Sequence, residues 1–289
     1  MIGIVPPNLL QTLWHRRWGS AFCSVLVCWC AGVITAYGTP LDTTSTDSTG
    51  QTKRRAAREL RVALDVGWVM GISAPEFFAD YRVLLGGTVS GFDIPTAVNF
   101  NVSSFLIRDA PIGLSVGYYK AVVRETYDYD PDRYPAPTGP LQSVTQDLQL
   151  TVIPAMLTMD YFPFERQFTT YVGAGIGFAA THVFWEEVIS QSTEPGARQS
   201  GVRYDEWQIA PAFMMKAGIS LGFDKKLALR TRAGIYVEAG YLHVPISGPY
   251  FEQTGKTLAV DVPRTTGDYD VQAGGVILRV GFSLLLTGN

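Results

Sequence analysis

From Leu60 to the end of the chain, apolar side chains recur at every second residue in one segment after another. That period belongs to a β-strand with one apolar face. It sets Leu60, Val62, Leu64, Val66, Trp68 and Met70 against Arg61, Ala63, Asp65 and Gly67. It returns at Val98, Phe100, Val102; at Ile112, Leu114, Val116, Tyr118; at Leu148, Leu150, Val152; and at Val172, Ala174, Ile176, Phe178. The longest example runs from Trp207 to Phe223 at odd positions, with Gln208, Lys216, Gly218 and Ser220 among the even ones. Leu227 to Val237 and Val276 to Leu286 complete a set of eight. One segment alone is weak evidence, but eight in succession restrict the chain to an all-β fold.

The chemistry of the two faces narrows the choice further. One face is large and apolar; the other carries glycine, serine and the charges, including Arg61, Asp65, Asp147, Lys216, Arg230, Arg232, Glu238 and Arg279. A barrel in water would turn its polar face outward. A barrel in lipid does the opposite, apolar outside and polar within. The chain is 47% apolar and only 17% charged, yet no window after residue 41 supplies the roughly 20 consecutive apolar residues of a transmembrane helix. Alternating strands reconcile those two facts.

The connections between segments are long, short, long, short in turn: 72–96, 108–110, 128–143, 162–167, 188–203, 224–226 and 245–270. Transmembrane barrels have short periplasmic turns and long extracellular loops. The expected fold is an antiparallel up-and-down transmembrane β-barrel of about eight strands, with both ends in the periplasm. Phe223 facing Leu227 would make the turn at Asp224-Lys225-Lys226 a three-residue connection. Phe168 and Phe223 are expected at the lower lipid boundary, with Trp207 and Tyr241 above the membrane. Ser73-Ala74-Pro75-Glu76 fits a helix-start capping box, so a short helix from Phe77 to Arg82 is expected over or inside the mouth. Val83 to Phe92 reads either as part of that region or as an outer hairpin strand.

The N-terminus has the pattern of an export signal. His15, Arg16 and Arg17 precede an uncharged stretch from Trp18 to Leu41, and Ala36-Tyr37-Gly38 offers small residues at −3 and −1. The organisation expected is a signal peptide at 1–38, a polar periplasmic linker at 39–59, and a barrel domain at 60–289. All three cysteines, Cys23, Cys28 and Cys30, fall within the signal, which leaves no disulfide framework in the mature chain. Cleavage removes two arginines, so 21 basic against 26 acidic residues remain, a balance of −5 that gives no reason to expect a nucleic-acid partner.

Two stretches carry a resemblance: Leu148-Gln149-Leu150-Thr151-Val152-Ile153-Pro154 leading to Asp160-Tyr161-Phe162, and Tyr171-Val172-Gly173-Ala174-Gly175-Ile176-Gly177-Phe178. They resemble the outer membrane protein beta-barrel families, including PorT-like proteins and small OmpA- or OmpW-like barrels. The pattern covers about residues 60–289 and the motif about 40 of them. The resemblance implies a bacterial outer-membrane location, lipid as the surrounding partner, and passage through Sec export and the barrel-assembly machinery. It implies no reaction. The C-terminal Leu286-Thr287-Gly288-Asn289 departs from the terminal aromatic usual in such barrels, with Phe282 the nearest substitute.

Chemistry-bearing residues are few. His182 and His243 are the only histidines past the signal, and neither stands in a His-x-Ser pair, since Phe184 and Pro245 occupy those positions. His182 with Glu186 and Glu187 is a sparse metal-ligand set, and Ser247 near His243 a sparse catalytic one. No catalytic residue, cofactor or metal ligand is therefore assigned. The inward charges are expected to pair and close the lumen. The function expected is a structural or surface-interaction barrel, with an extracellular or periplasmic protein as possible partner. A narrow passive transporter for small or hydrophobic solutes is the alternative, and a lipid-modifying enzyme the third reading.

Overall fold

A computed structural model describes residues 59–84, 87–107, 110–129, 142–162, 168–190, 200–223, 231–248 and 269–287. The signal and nearly all of the linker expected at 1–59 lie outside the described residues. Eight strands close into an antiparallel ring: β1 (Glu59–Met70), β2 (Thr96–Ile107), β3 (Ala110–Tyr129), β4 (Gln142–Tyr161), β5 (Phe168–Ile189), β6 (Gly201–Phe223), β7 (Thr231–His243) and β10 (Gly275–Thr287). Chain neighbours pair in order, and β1 meets β10 with Glu59 opposite Thr287. Both ends of the barrel domain thus lie at one rim, called the lower rim below. One helix, α1 (Pro75–Leu84), and a small hairpin of β8 (Pro245–Gly248) with β9 (Tyr269–Gln272) occupy the opposite, upper end.

Strand lengths divide the barrel into two storeys. β1, β2, β7 and β10 have 12 or 13 residues, whereas β3 to β6 have 20 to 23. About 10 tilted residues cross the apolar band of a membrane. The four long strands therefore rise roughly ten residues higher as an open, curved sheet.

In the lower storey the faces fall as the alternation predicts. Leu64, Val66, Trp68, Val98, Phe100, Ile176, Phe178, Phe213, Met215, Val280 and Phe282 all point outward and are exposed. In the upper storey the polarity inverts. Leu148, Leu150 and Val152, expected on the lipid face, point inward and are at most 1% exposed, while Asp147, Gln149 and Thr151 face out. The reason is physical: above the lipid the exterior meets water and the interior holds a dry core, so the same alternation serves the opposite assignment. On β4 the lipid-facing set is instead Ile153, Ala155, Leu157, Met159 and Tyr161.

Two prolines adjust the sheet. Pro154 points into the barrel where the storeys meet, and the β3–β4 ladder skips the pairs opposite Ile153 and Pro154. Proline has no N–H to give, and Gly117 on β3 leaves space beside its ring. The β6–β7 ladder ends upward at Phe213 opposite His243. Two residues further, the same register would set Pro211 against Pro245, two residues without donors, and there β8 departs to pair with β9.

Two expectations, the 224–226 turn and the start of the helix, are corrected, and the open choice at Val83 to Phe92 is decided. The β6–β7 ladder ends downward at Phe223 opposite Ala233, not Leu227, so the connection is longer than three residues. Helix α1 starts earlier than expected: Phe78 N–H donates to Ala74 O, which makes Ala74 the cap and Pro75 the first helical residue, where its fixed φ suits the helix. Ser73 is not the cap, because its backbone is engaged in a two-way bridge with Gln272. Val83 and Leu84 end the helix, and residues 87–95 contain no strand. Gly71, with φ of 87°, turns the chain out of β1 toward α1 in a conformation that glycine tolerates best.

Candidate functional site: a sealed lumen beneath an aromatic plug

The lower interior is a charge network to which every barrel strand contributes. Lys216 of β6 lies 2.9 Å from Asp160 of β4 and 3.1 Å from Glu238 of β7. Arg279 of β10 reaches Asp65 of β1 at 3.5 Å and Glu238 at 3.6 Å. Arg61 of β1 stands 4.0 Å from Asp160. Three cations thus face three carboxylates. Neutral donors fill in: Asn99 Nδ2 of β2 and Tyr236 Oη of β7 donate to Asp65 at 2.9 and 2.8 Å, and Tyr171 Oη of β5 donates to Glu238 at 3.0 Å. Ser115 of β3 donates to Asn99 Oδ1 at 2.7 Å. The charged side chains are at most 9% exposed. Burying charge is tolerable only with such pairing.

Glycine makes the room these large groups need. Gly218 lies opposite Tyr171 and Gly281 opposite Tyr236, and a Cβ at either would strike the tyrosine ring. The alternating glycines of β5 make room for other groups: Gly173 lies against Asp160 and Lys216, and Gly175 against Thr158 and Met214. At the lower end, Arg61 sits over three rings, 5.2 Å from Tyr236, 5.6 Å from Phe162 and 5.9 Å from Tyr171, an arrangement that attracts a cation.

The expected membership of this network needs revision. Asp147 stands outside the barrel, paired with Arg124 at 3.1 Å, because β4 presents its odd residues outward. Its place is taken by Asp160, which the sequence reading missed. The signal for it was the alternation of Leu157, Met159 and Tyr161 with Thr158 and Asp160. Arg232 is exposed at the lower end of β7, and Arg230 lies outside the described residues. The side chains of Phe168 and Phe223 lie outside them too.

Above the network the interior is aromatic. Phe77, Phe78 and Tyr81, on one side of α1, are at most 1% exposed. Phe77 packs edge-on against Trp185 at 5.8 Å and Tyr269 at 5.5 Å; Phe78 meets Phe92 at 5.3 Å and Tyr81 meets Tyr127 at 5.8 Å. Leu148, Leu150, Val152 and Leu242 belong to the same core. The plug is tied at its sides. Tyr269 Oη donates to Asp80 at 2.7 Å. Glu125 of β3 accepts from Tyr81 Oη at 2.8 Å, from both the N–H and the hydroxyl of Thr88, and from Val89 N–H at 3.4 Å. Burial works to raise the Glu125 pKa, but the donors from Thr88, Tyr81 and Val89 outweigh it and hold the carboxyl below its usual value. Burial, reinforced by neighbouring Tyr127, Glu125 and Glu187, pushes the Tyr81 phenol up.

The sparse catalytic and metal candidates are pulled apart. His182 faces outward, 2.7 Å from Asp205 and stacked on Trp207 at 4.6 Å. Glu187 faces inward, fully buried, with Arg203 at 2.7 Å, while Glu186 faces out and is exposed. His243 and Ser247 are both exposed on the outer side.

These features define the class: a transmembrane antiparallel β-barrel of eight strands with a filled interior. No family model matches the chain, and no curated protein does. Among solved structures it is similar to Neisserial surface protein A, at 12% identity over 79% of this chain and 98% of that one, with a TM-score of 0.37. It is also similar to Ail, the attachment invasion locus protein of Yersinia pestis, whose structure holds a heparin analogue, at 9% identity over 80% and 100%, TM-score 0.34. A third is the outer membrane protein OprG from Pseudomonas aeruginosa, at 12% identity over 80% and 96%, TM-score 0.35. The fold rests on this chain's own strand ladders rather than on those superpositions.

Proposed function

We propose that this chain is a sealed barrel of the bacterial outer membrane, akin to PorT-like barrels, that serves as a surface-interaction scaffold. The observation that carries the reading is the doubly filled interior, a balanced network of six charges below and an aromatic plug above. An eight-stranded barrel has an interior just wide enough for side chains, and here both levels are occupied. The exposed apolar exterior of the lower storey supports insertion in lipid. The upper storey, exposed outside and packed with aromatic side chains within, is the working part and faces the outside of the cell. Sec export and the barrel-assembly machinery are the partners in biogenesis.

Reconstitution of the full chain into planar bilayers tests the sealed state. Only leak-level conductance is expected; steady conduction of small ions would overturn it in favour of a narrow transporter. Fractionation should recover the chain with the outer membrane, and recovery in the soluble or inner-membrane fraction would refute the location.

A further inference from the structure

The upper edge of the lipid-facing surface is stepped. On β3 the outward residues Ile112, Leu114, Val116 and Tyr118 are apolar, and the next, Lys120, is charged and exposed. On β4 they run Tyr161, Met159, Leu157, Ala155 and Ile153, followed by Thr151, Gln149 and Asp147. On β7 they end at Tyr241, with exposed His243 next. β6 continues further. Its outward residues Ile219, Ala217, Met215, Phe213, Pro211, Ile209 and Trp207 are all apolar and all exposed, Ile209 at 69%, and the first charge is Asp205. In the register Tyr241 lies opposite Met215, whereas Trp207 stands eight positions up β6 from there (215 to 207). At the rise and tilt of such strands that is on the order of 15 Å of height.

Transmembrane barrels carry aromatic girdles at the edges of the hydrocarbon. Tyr118 before Lys120 marks that edge on β3, and Tyr241 before His243 marks it on β7; on β6 the corresponding step is Trp207 before Asp205. We infer that the outer wall of β6 from Pro211 to Trp207 is a lipid-contact face, where acyl chains of the outer leaflet stand higher than on β3, β4 or β7. Continuity argues for lipid, because no polar residue interrupts the outward side of β6 between Ile219 and Trp207. Width argues against a protein. On one side the strip is bounded by His182, which stacks on Trp207 at 4.6 Å and meets Asp205 at 2.7 Å, and then by Thr151 and Lys120 along the same register row. On the other side stands His243, opposite Phe213. Three outward side chains offer far less than the roughly 1,000 Å² that a stable protein interface buries, whereas an acyl chain needs only a narrow apolar strip.

Such a face rests on the outer-membrane reading and narrows it: a surface partner would meet the upper storey on its β3–β4 side, where Lys120, Arg124, Asp147 and Gln149 face out. The test uses the full chain in vesicles of dioleoylphosphatidylcholine doped with a phosphatidylcholine that carries a diazirine on its acyl chain. After irradiation, peptide mass spectrometry locates the adducts. Ile209 and Trp207 are expected to be labelled as strongly as Phe213, and Gln149 and Arg124, the outward residues above the edge on β4 and β3, not at all. In the double variant Trp207→Ser, Ile209→Ser, labelling at those two positions should be lost while Phe213 and Met215 keep theirs. Adducts that end at Phe213 overturn the inference; p-benzoylphenylalanine placed at Ile209 would then crosslink to 249–268 if the chain's own segment covers the strip, or to another chain if a second copy does. Equal labelling of Gln149 and Arg124 overturns it too, since the edge would then be level. Absence of adducts even at Ile176, Phe213 and Met215 fails the membrane reading itself, and this inference with it.

Discussion

Asp65→Asn isolates the worth of the lumen network. The carboxylate is 3% exposed, accepts from Asn99 and Tyr236 at 2.9 and 2.8 Å, and balances Arg279 at 3.5 Å. The amide keeps the shape but removes one of three negative charges, leaving Arg279 with only Glu238 at 3.6 Å. Removing one partner of a buried pair costs about 3–5 kcal/mol. Part of this pair's charge is still answered by Glu238, so about 3 kcal/mol is expected, roughly a hundredfold in the folding equilibrium. Adding Arg279→Met restores the balance of two against two. The double variant is therefore expected to be less destabilised than the sum of the singles, with a coupling of about 1–3 kcal/mol. Denaturant unfolding of the barrel in lipid vesicles, followed by tryptophan fluorescence, measures all four corners of the cycle. Additivity within about 0.5 kcal/mol would refute electrostatic coupling, and a single-variant cost below about 1 kcal/mol would refute the network as a stabilising element.

Truncating the plug with Phe77→Ala should cost about 3–5 kcal/mol, because the ring is buried among Phe78, Tyr81, Trp185 and Tyr269; thermal melts check this. Acid should loosen the Glu125 clasp: its folded pKa lies below the ordinary 4.5, so its stabilisation is complete above about pH 5 and is lost as pH falls through the lowered value. The protection factors of the Thr88 and Val89 amides, taken relative to their intrinsic exchange at each pH, should fall below that pH in the native chain and stay constant there in Glu125→Gln. Gly67→Ala places a Cβ against Leu278 O and the Arg279 backbone, so refolding into vesicles should fail or yield an unpaired β1–β10 seam, whereas Gly91→Ala, where a Cβ meets nothing, should refold normally. A cysteine at Glu186 should react with an impermeant thiol reagent on intact cells, and one at Glu59 should not.

The lower storey was legible from the sequence because lipid demands one polarity on eight successive strands, and the spacing of Arg61, Asp65, Lys216, Glu238 and Arg279 identified most of the network. The upper storey was not. Period two reports which residues share a face but carries no sign, so Leu148, Leu150 and Val152 were assigned outward when the solvent on that side had changed from lipid to water. Asp160 escaped for a related reason: the residues that share a face switch from even numbers on β3 to odd on β4, and back to even on β5. The aromatic content of α1 was visible as Phe77, Phe78 and Tyr81, yet nothing local said whether the helix lay over the mouth or in it. Only the length difference between neighbouring strands decides that, by leaving a half-open cup to fill.

The seam between β1 and β10 also sets the order in which the barrel can be assembled. β2 to β7 join neighbours along the chain, so each ladder forms from a local hairpin. The last ladder joins residue 59 to residue 287, and for an unassisted chain that closure costs on the order of 5 kcal/mol in loop entropy. Prior formation of the hairpins shortens the effective loop, which makes the seam the final and slowest step, as expected where non-local pairing dominates. Helix α1 follows β1 directly and is anchored to β9 through Ser73 and Gln272 and through Asp80 and Tyr269. The helix is thus continuous with the first strand and held by the segment just before the last, so its rings enter their socket only when those two parts of the chain have met.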